Sequence, residues 1–465
     1  MPMSDTVPGG LSLEQAEREI YAHIVSRNPE HDFEPTLDRV RAVCDLLGNP
    51  QHAFKVIHLT GTNGKTSTAR MVESLVRAHG LRTGLFTSPH LTSVRERIQV
   101  DGEPITREAF ISVWNDVAPV IELVDSRSVD AGGPRMSFFE VLTVLAFAAF
   151  ADAPVDVCVL EVGMGGTWDA TNIADADVAV IGPVALDHER WLGDSLADIA
   201  AEKAGIVKPG ADVVVAEQAD IVTAVVTPAL SQARTVWWEG NDLEVVDRHP
   251  AVGGQMVTLR TPSATYEGVF VPLFGAHQAR NAALALAAVE LLMAGGGDVG
   301  ALAGEVVEQG FGAVTSPGRL EIVRTSPTIL VDAAHNPHGV DALADALEES
   351  FAFTRLVGIV GILEDKDADG ILAGLEPILD AVVVTQSSSP RAIDATELAA
   401  VAARHFGEER VTIEHDLPDA IDAAVGLAEA EDNMGVGVLI VGSITLVADA
   451  RILLRADASA RRTDT

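Results

Sequence analysis

The sequence predicts an α/β protein of two consecutive domains, each built on a mostly parallel sheet, and three observations carry that prediction. Short β-branched runs alternate with alanine- and leucine-rich stretches of helical length. That alternation is the pattern of parallel strands joined by crossover helices and covered on both faces. A glycine-rich loop, "GTNGKT" (61–66), stands between an apolar run and a helical stretch. A second alternating set follows "GFGAVTSPGRLE" (310–321), with a Ser-Pro-Gly linker near Thr315 to Gly318. The division expected is therefore 1–314 and 315–465.

Taken in chain order, the first strands are "KVIHL" (55–59), "DVCVLEV" (156–162), "DVAVIG" (177–182) and "DVVVAE" (212–217). "TSTARMVESLVRAHG" and "SFFEVLTVLAFAAF" read as helices before or between them. The apolar stretch Val141 to Leu160 is broken by Asp152, Pro154 and Asp156, so it predicts a buried helix, a turn and a buried strand rather than a membrane span. Region 233–273, with "VWWEG" and "MVTLRT", predicts a small antiparallel insert. The second set gives strands "TILVDA" (328–333), "RLVGIVG" (355–361), "AVVVTQ" (381–386) and "GVLIVGS" (437–443). Both chain ends are expected to be mobile.

Composition narrows the function. The chain carries 68 acidic against 32 basic residues, a net charge of −36. Nucleic acid and anionic membrane both need a positive footprint, so neither is expected as a partner. Only two cysteines, Cys44 and Cys158, are present, and both sit in apolar surroundings. Without a disulfide framework or a signal layout in "MPMSDTVPGG", a cytoplasmic location is expected.

The loop poses the chemical question. The full phosphate-loop signature fails, because its first glycine would fall on Leu59. The half that does the chemistry remains. Gly64 lets the backbone approach an anion, Lys65 supplies a charge for terminal phosphates, and Thr66 offers a hydroxyl toward magnesium. Four further segments put polar groups beyond strand ends, where open α/β sheets bind ligands. They hold Ser88 in "FTSPHL", Glu161 in "LEVGMGGTWDATN", Asp187 and His188 in "GPVALDHERWLG", and Lys203 in "AEKAGIVKPG". Singly, each has a plain structural reading: a helix cap, a hydrogen-bonded histidine, a surface lysine. Beside a phosphate loop they suggest a metal shell. Oxygen donors favour magnesium, whereas imidazole taken alone would favour zinc or manganese. No H-E-x-x-H or paired C-x-x-C motif supports a dedicated zinc site.

"GTNGKTS", "TSPHL", "EVGMGGTWDATN", "ALDHERWLG" and "AEKAGI", followed by "FGAHQARNAALAL", "PGRLE", "VDAAHNPHG", "GILEDKDADG" and "GSITLVADAR", together resemble the folylpolyglutamate synthase/dihydrofolate synthase family of the Mur ligase superfamily. The resemblance spans residues 35 to 451. It implies a P-loop-type Mur ligase central domain followed by a smaller Rossmann-like domain that closes over the nucleotide. It also implies an ATP-dependent ligase that adds L-glutamate to a folate or to dihydropteroate, acting as a monomer. Gly61, Thr62, Asn63, Gly64, Lys65 and Thr66 then correspond to the triphosphate cradle, with Asn281, Arg319, Asp332 and His335 as further ATP ligands. Ser88, Glu161, His188 and Lys203 correspond to ligands of two magnesium ions, with Lys203 carbamylated. Lys65, His188 and Lys203 are the implied catalytic groups. Ser137, Phe138, Phe139, Glu140, Trp168, Asp169 and Ala170 match the pterin-binding segments. Thr167 stands where the family commonly has arginine, and "SRNPEHDFEP" (26–35) is longer than the usual connection.

Ligation of a carboxylate to an amine is uphill in water, so an acyl phosphate made from ATP is the expected intermediate. Another Mur-type ligase, acting on a muramoyl peptide, would bring an N-terminal nucleotide domain that the 54 residues before the first strand are too few to form. A nucleotide switch would leave Glu161, His188 and Lys203 without a purpose, and no N-K-x-D guanine motif is found.

Overall fold

The computed structural model describes residues 12–27, 35–430 and 435–463. The expectations placed on the N-terminal stretch, the final two residues and most of the 26–35 connection fall outside the described residues, while the rest of the C-terminal stretch lies in the helix Ile444–Thr463. The chain forms two compact units: Met1–Asp247 with Thr258–Val269 and Arg280–Val314, and Arg248–Val257 with Phe270–Ala279 and Thr315–Thr465.

In the first unit, eight strands make one sheet. They are β1 (Lys55–Thr60), β2 (Thr83–Phe86), β3 (Ile98–Val100), β4 (Glu103–Pro104), β5 (Val157–Glu161), β6 (Val178–Ile181), β7 (Asp212–Val215) and β8 (Thr235–Trp238). Their spatial order is β4-β3-β2-β5-β1-β6-β7-β8. From β2 to β8 all neighbours are parallel, while β3 and β4 add an antiparallel edge. The central strands β5, β6 and β7 are buried at every position, which is why they read as unbroken apolar runs rather than alternating ones.

"VWWEG" corrects the sequence reading. Its first three residues belong to β8, which pairs in parallel with β7 from Asp212↔Thr235 to Val215↔Trp238. They are the last strand of the large sheet, not part of an insert. The ladder to β7 satisfies their backbone, and Trp237 is buried there. The insert itself is β9 (Glu244–Ala251), β10 (Gly254–Arg260) and β11 (Thr265–Val271), a separate sheet in the order β11-β10-β9.

Two apolar clusters hold the large sheet. One is filled by the helices Arg107–Asp130 and Phe138–Asp152 through Phe110, Leu145, Phe147 and Phe150. The other gathers Val162, Ile181, Ile199, Val213 and Val226. The apolar stretch Val141 to Leu160 falls in the helix Phe138–Asp152, a turn, and β5, and no described helix is long and apolar enough to cross a membrane. Cys44 and Cys158 are both buried free thiols, and burial pushes the Cys44 thiol up to about 12.

The second unit is a six-stranded sheet of β12 (Glu321–Thr325), β13 (Thr328–Val331), β14 (Arg355–Val360), β15 (Ala381–Val384), β16 (Val411–Ile413) and β17 (Val436–Val441), ordered β12-β13-β17-β14-β15-β16. Only β12 runs antiparallel to its neighbour. Its core gathers Val340, Leu343, Leu372, Val382, Leu398 and Leu439.

Candidate active site

β1 ends at Thr60 and the chain turns at once into Gly61–Gly64, ahead of the helix Lys65–Ala78. Two glycines are required here. Gly61 sits at φ 149°, and a Cβ on it would lie 3.1 Å from the Gly182 Cα. Gly64 caps the helix at φ 81°, and its Cβ would fall 2.7 Å from Asn281 Oδ1. The loop is tied to the chain after β6. The Thr62 amide donates to Pro183 O at 2.8 Å. The Thr62 hydroxyl donates to Ala185 O at 2.9 Å and accepts from the Ala185 amide at 3.0 Å. The phosphate loop and the segment leading to His188 are therefore one framework, and Asn281, on the helix Ala276–Ala294, packs against it.

Three charged side chains converge on this loop. Lys65 Nζ donates to Gly61 O at 2.9 Å and to Thr62 O at 3.0 Å. Lys203 Nζ donates to the same Gly61 O at 2.9 Å. Lys203 lies near the end of the helix Leu196–Ala204 and is only 3% exposed, so the surface-lysine reading fails. Burial, and then the Lys65 ammonium beside it, lower its pKa to about 7. Glu161, the last residue of β5, is 2% exposed. Its carboxylate accepts from the Thr66 hydroxyl at 2.8 Å and from the Ser88 amide at 3.1 Å. It bridges the first turn of the phosphate-loop helix to the loop after β2, which is more than capping one neighbour.

His188 is held at φ 53°, with its amide on Asp187 Oδ1 at 2.8 Å and its Nε2 3.9 Å from Asp187 Oδ2. Among the described residues no three His, Cys, Asp or Glu side chains form a metal cluster. The implied ligand set contains one carboxylate and one imidazole, with the rest hydroxyl and lysine, so it depends on Lys203 for a second anion.

The implied pterin residues divide into two kinds. Ser137 caps the helix Phe138–Asp152 in a reciprocal pair with Glu140, whose carboxylate also takes the Arg39 guanidinium at 3.1 and 3.3 Å. Asp169 is 2% exposed and accepts from the Met164 and Thr171 amides at 2.9 and 3.0 Å and from the Thr171 hydroxyl at 2.5 Å. Both carboxylates are turned onto the protein and hold loops in place. Ala170 is buried with them. Phe138, Phe139 and Trp168 present rings instead. A Cβ on Gly163 would lie 2.5 Å from the Phe139 ring, so the glycine loop rests directly on it. The Trp168 amide donates to Glu202 Oε1 at 3.1 Å, and Thr167 donates twice to Glu202 O. Where the family has arginine, this chain fastens the loop to the residue next to Lys203.

In the second unit Arg319, Asp332 and His335 come together. Asp332 accepts from the Leu320 and Ala334 amides at 2.7 Å each. Burial raises its pKa while the Arg319 guanidinium opposes the shift. His335 Nδ1 donates to Ala333 O at 2.9 Å.

Sequence reasoning missed a cluster beside Glu161. Arg97 lies with its guanidinium 5.0 Å from the Phe138 ring centroid and donates through Nε to His90 Nδ1 at 2.9 Å. His90 Nε2 in turn meets the Tyr21 hydroxyl at 3.4 Å. Burial and the Arg97 charge lower the His90 pKa to about 4. Arg97 is 8% exposed, and its isolation in "RERIQV" offered no motif to read.

Residues 59–289 match the Mur ligase middle domain, and residues 318–444 match the Mur ligase glutamate ligase domain. The dihydrofolate synthase/folylpolyglutamate synthase of Mycobacterium tuberculosis is 47% identical, over 98% of this chain and 96% of that protein. The Escherichia coli protein of the same description is 35% identical over 89% of each. A crystal structure of the Mycobacterium tuberculosis folylpolyglutamate synthase complexed with ADP and AMPPCP superposes with a TM-score of 0.90 at 45% identity. It covers 95% of this chain and 99% of that one.

Proposed function

The chain belongs to the dihydrofolate synthase/folylpolyglutamate synthase family of Mur ligases, and from that membership and its site we propose how its own residues carry the reaction. It is an ATP-dependent ligase that adds L-glutamate to a folate, and its relatives' double name extends the reading to dihydropteroate. A muramoyl-peptide substrate is not favoured by these relatives. The observation that carries the assignment of roles is the convergence of Lys65 and Lys203 on the Gly61 carbonyl, beside a buried Glu161.

Gly61, Thr62, Asn63, Gly64, Lys65 and Thr66 cradle the triphosphate. The loop amides and the helix that starts at Lys65 favour an anion there. In the bound state Lys65 exchanges its two loop carbonyls for phosphate oxygens. Asn281 contributes from the first unit, and Arg319, Asp332 and His335 form the second unit's nucleotide set. The boundary of the functional domains falls at 314/315. The carboxylate of the folate attacks the terminal phosphorus, ADP leaves, and the acyl phosphate that results loses phosphate when the amine of glutamate adds to its carbonyl. Positioning and charge neutralisation are the protein's main contributions.

The donor set fits magnesium. A buried carboxylate is costly unless a cation or donors stabilise it, and Glu161 stands with the Thr66 hydroxyl and Ser88 as hard oxygen donors. Ser88, Glu161, His188 and Lys203 would hold two ions, which supply neutralisation of phosphate charge when bound. Lys203 joins that set only as a carbamate. Its amine attacks carbon dioxide, an N–C bond forms, and the nitrogen's proton leaves to solvent, giving an anion. A pKa near 7 makes the neutral amine available. Phe138, Phe139 and Trp168 offer the pteridine its apolar faces, with Ser137, Glu140, Asp169 and Ala170 setting the loops that carry them. The acidic surface and buried thiols accord with a cytoplasmic monomer.

The test is ADP release with glutamate, comparing tetrahydrofolate, dihydropteroate and a muramoyl peptide as acceptors. Release with the first two and none with the third is expected. Release with the muramoyl peptide alone would overturn the assignment.

A further inference from the structure

His58 has no part in the chemistry above, yet it is a fully buried imidazole at the centre of the site's sheet. It lies on β1 between Leu160 and Ala179 on the flanking strands' registers, three residues ahead of Gly61. Its Nε2 is 2.8 Å from Thr171 Oγ1, and Thr171 is itself fully buried. Its Nδ1 is buried with no hydrogen-bond partner among the described residues.

The proton positions follow from the partners. Both Asp169 oxygens already face N–H groups, Oδ2 that of Met164 and Oδ1 that of Thr171. The carboxylate can only accept, so the Thr171 hydroxyl, 2.5 Å from Oδ1, points its proton there. That leaves the hydroxyl oxygen as the acceptor of the His58 Nε2–H. His58 is thereby fixed as the Nε2-protonated neutral tautomer, and its bare Nδ1 is an acceptor, the cheaper kind of orphan to bury. Burial and the Lys208 charge keep it neutral.

We propose that His58 is a positioning residue for the folate acceptor: through Thr171 and Asp169 it sets the conformation of the loop Gly163–Ala170. The chain of contacts is directional. Asp169 suspends the Met164 end of the loop, Thr171 orients Asp169, and His58 orients Thr171 from the strand that delivers the phosphate loop. One strand therefore places both the triphosphate cradle and the surface on which the acceptor lies. A small misplacement of either reactant is expensive in a two-substrate reaction. The inference deepens the ligase reading and rests on it.

The experiment uses the full chain. Thr171→Val and His58→Leu remove the relay, while His58→Gln restores a donor at the Nε2 position. In folded variants the removals are expected to raise KM for the folate acceptor on the order of tenfold, the effect of one buried hydrogen bond, while KM for ATP stays within about twofold and His58→Gln recovers most of the loss. A packing role alone would lower thermal stability without separating the two KM values. Equal effects on both substrates, or a glutamine no better than leucine, overturns the proposal. If His58→Leu does not fold, Thr171→Val carries the same comparison. Independently of turnover, ¹⁵N NMR of labelled histidine should find His58 in the Nε2-protonated form, and an Nδ1-protonated ring overturns it. Wild-type ADP release with the folate acceptor checks the ligase reading separately.

Discussion

The Gly61 carbonyl accepts from two ammonium groups, Lys65 and Lys203, at 2.9 Å each, and that shared acceptor makes the two lysines separable by experiment. On the proposed reading Lys65 serves the phosphates, so Lys65→Ala should keep the fold and lose on the order of 10²–10³ in kcat. Near-normal turnover in folded Lys65→Ala would remove the loop from the mechanism. Lys203 has a depressed pKa of about 7, so above about pH 7 the unfolded chain holds a proton that the folded one lacks. The unmodified residue therefore penalises folding fully below that pH, and stability rises with pH from there toward its ordinary value. Activity should follow the neutral amine, increasing as pH passes through about 7 and falling in carbon-dioxide-depleted buffer. Lys203→Ala should lose most activity and regain part with a short-chain carboxylic acid in solution. Lys203→Arg should fail as badly, because guanidinium cannot be carbamylated, and activity in that variant would reassign the residue as a simple cation. Glu161→Gln keeps shape and loses charge. The magnesium concentration for half-maximal rate should increase sharply in it, and an unchanged value would strike Glu161 from the ligand set.

At the scale of elements, the site is made by strand ends. β1, β5 and β6 are adjacent and parallel, so Leu59 pairs with Glu161 and Thr60 with Ile181, and the loops that follow emerge side by side. One close junction is Gly64, where the helix Lys65–Ala78 begins at φ 81° against Asn281. Gly64→Ala should cost on the order of 1–2 kcal/mol for the left-handed backbone alone, and its Cβ must displace the Asn281 amide. An increased KM for ATP together with a lower denaturation midpoint is expected, and a wild-type KM would mean that the loop tolerates a wider turn. The central strands of this layer were legible because burial on both faces leaves continuous apolar runs. β3, β4, β12 and β16 were not, since strands of two to five residues are too short to show a periodicity, and all but β3 lie at a sheet edge. "VWWEG" was misplaced for the same reason: four residues of an edge strand look alike in an insert and in a large sheet.

At the scale of the molecule, nucleotide binding is linked to folding. ATP at about a hundred times its dissociation constant should stabilise the protein by roughly 2.7 kcal/mol, read as a higher melting temperature that Lys65→Ala largely abolishes. An equal shift in both proteins would place the nucleotide elsewhere. The sequence by itself determined the α/β class and the family, because backbone conformation and burial period each demand residue types at fixed spacing, and it picked out the glycine-lysine loop proposed to hold phosphate. It also marked Glu161 and Lys203, though their isolated contexts suggested a helix cap and a surface cation. Only the tertiary structure decided that Lys203 is buried against Gly61, that Glu140 and Asp169 hold loops with their carboxylates, and that Arg97, His90, Tyr21 and His58 surround the site. Those facts depend on which groups from distant segments meet in a low-dielectric interior. Proximity and desolvation, unlike spacing along a chain, are properties of the folded packing alone.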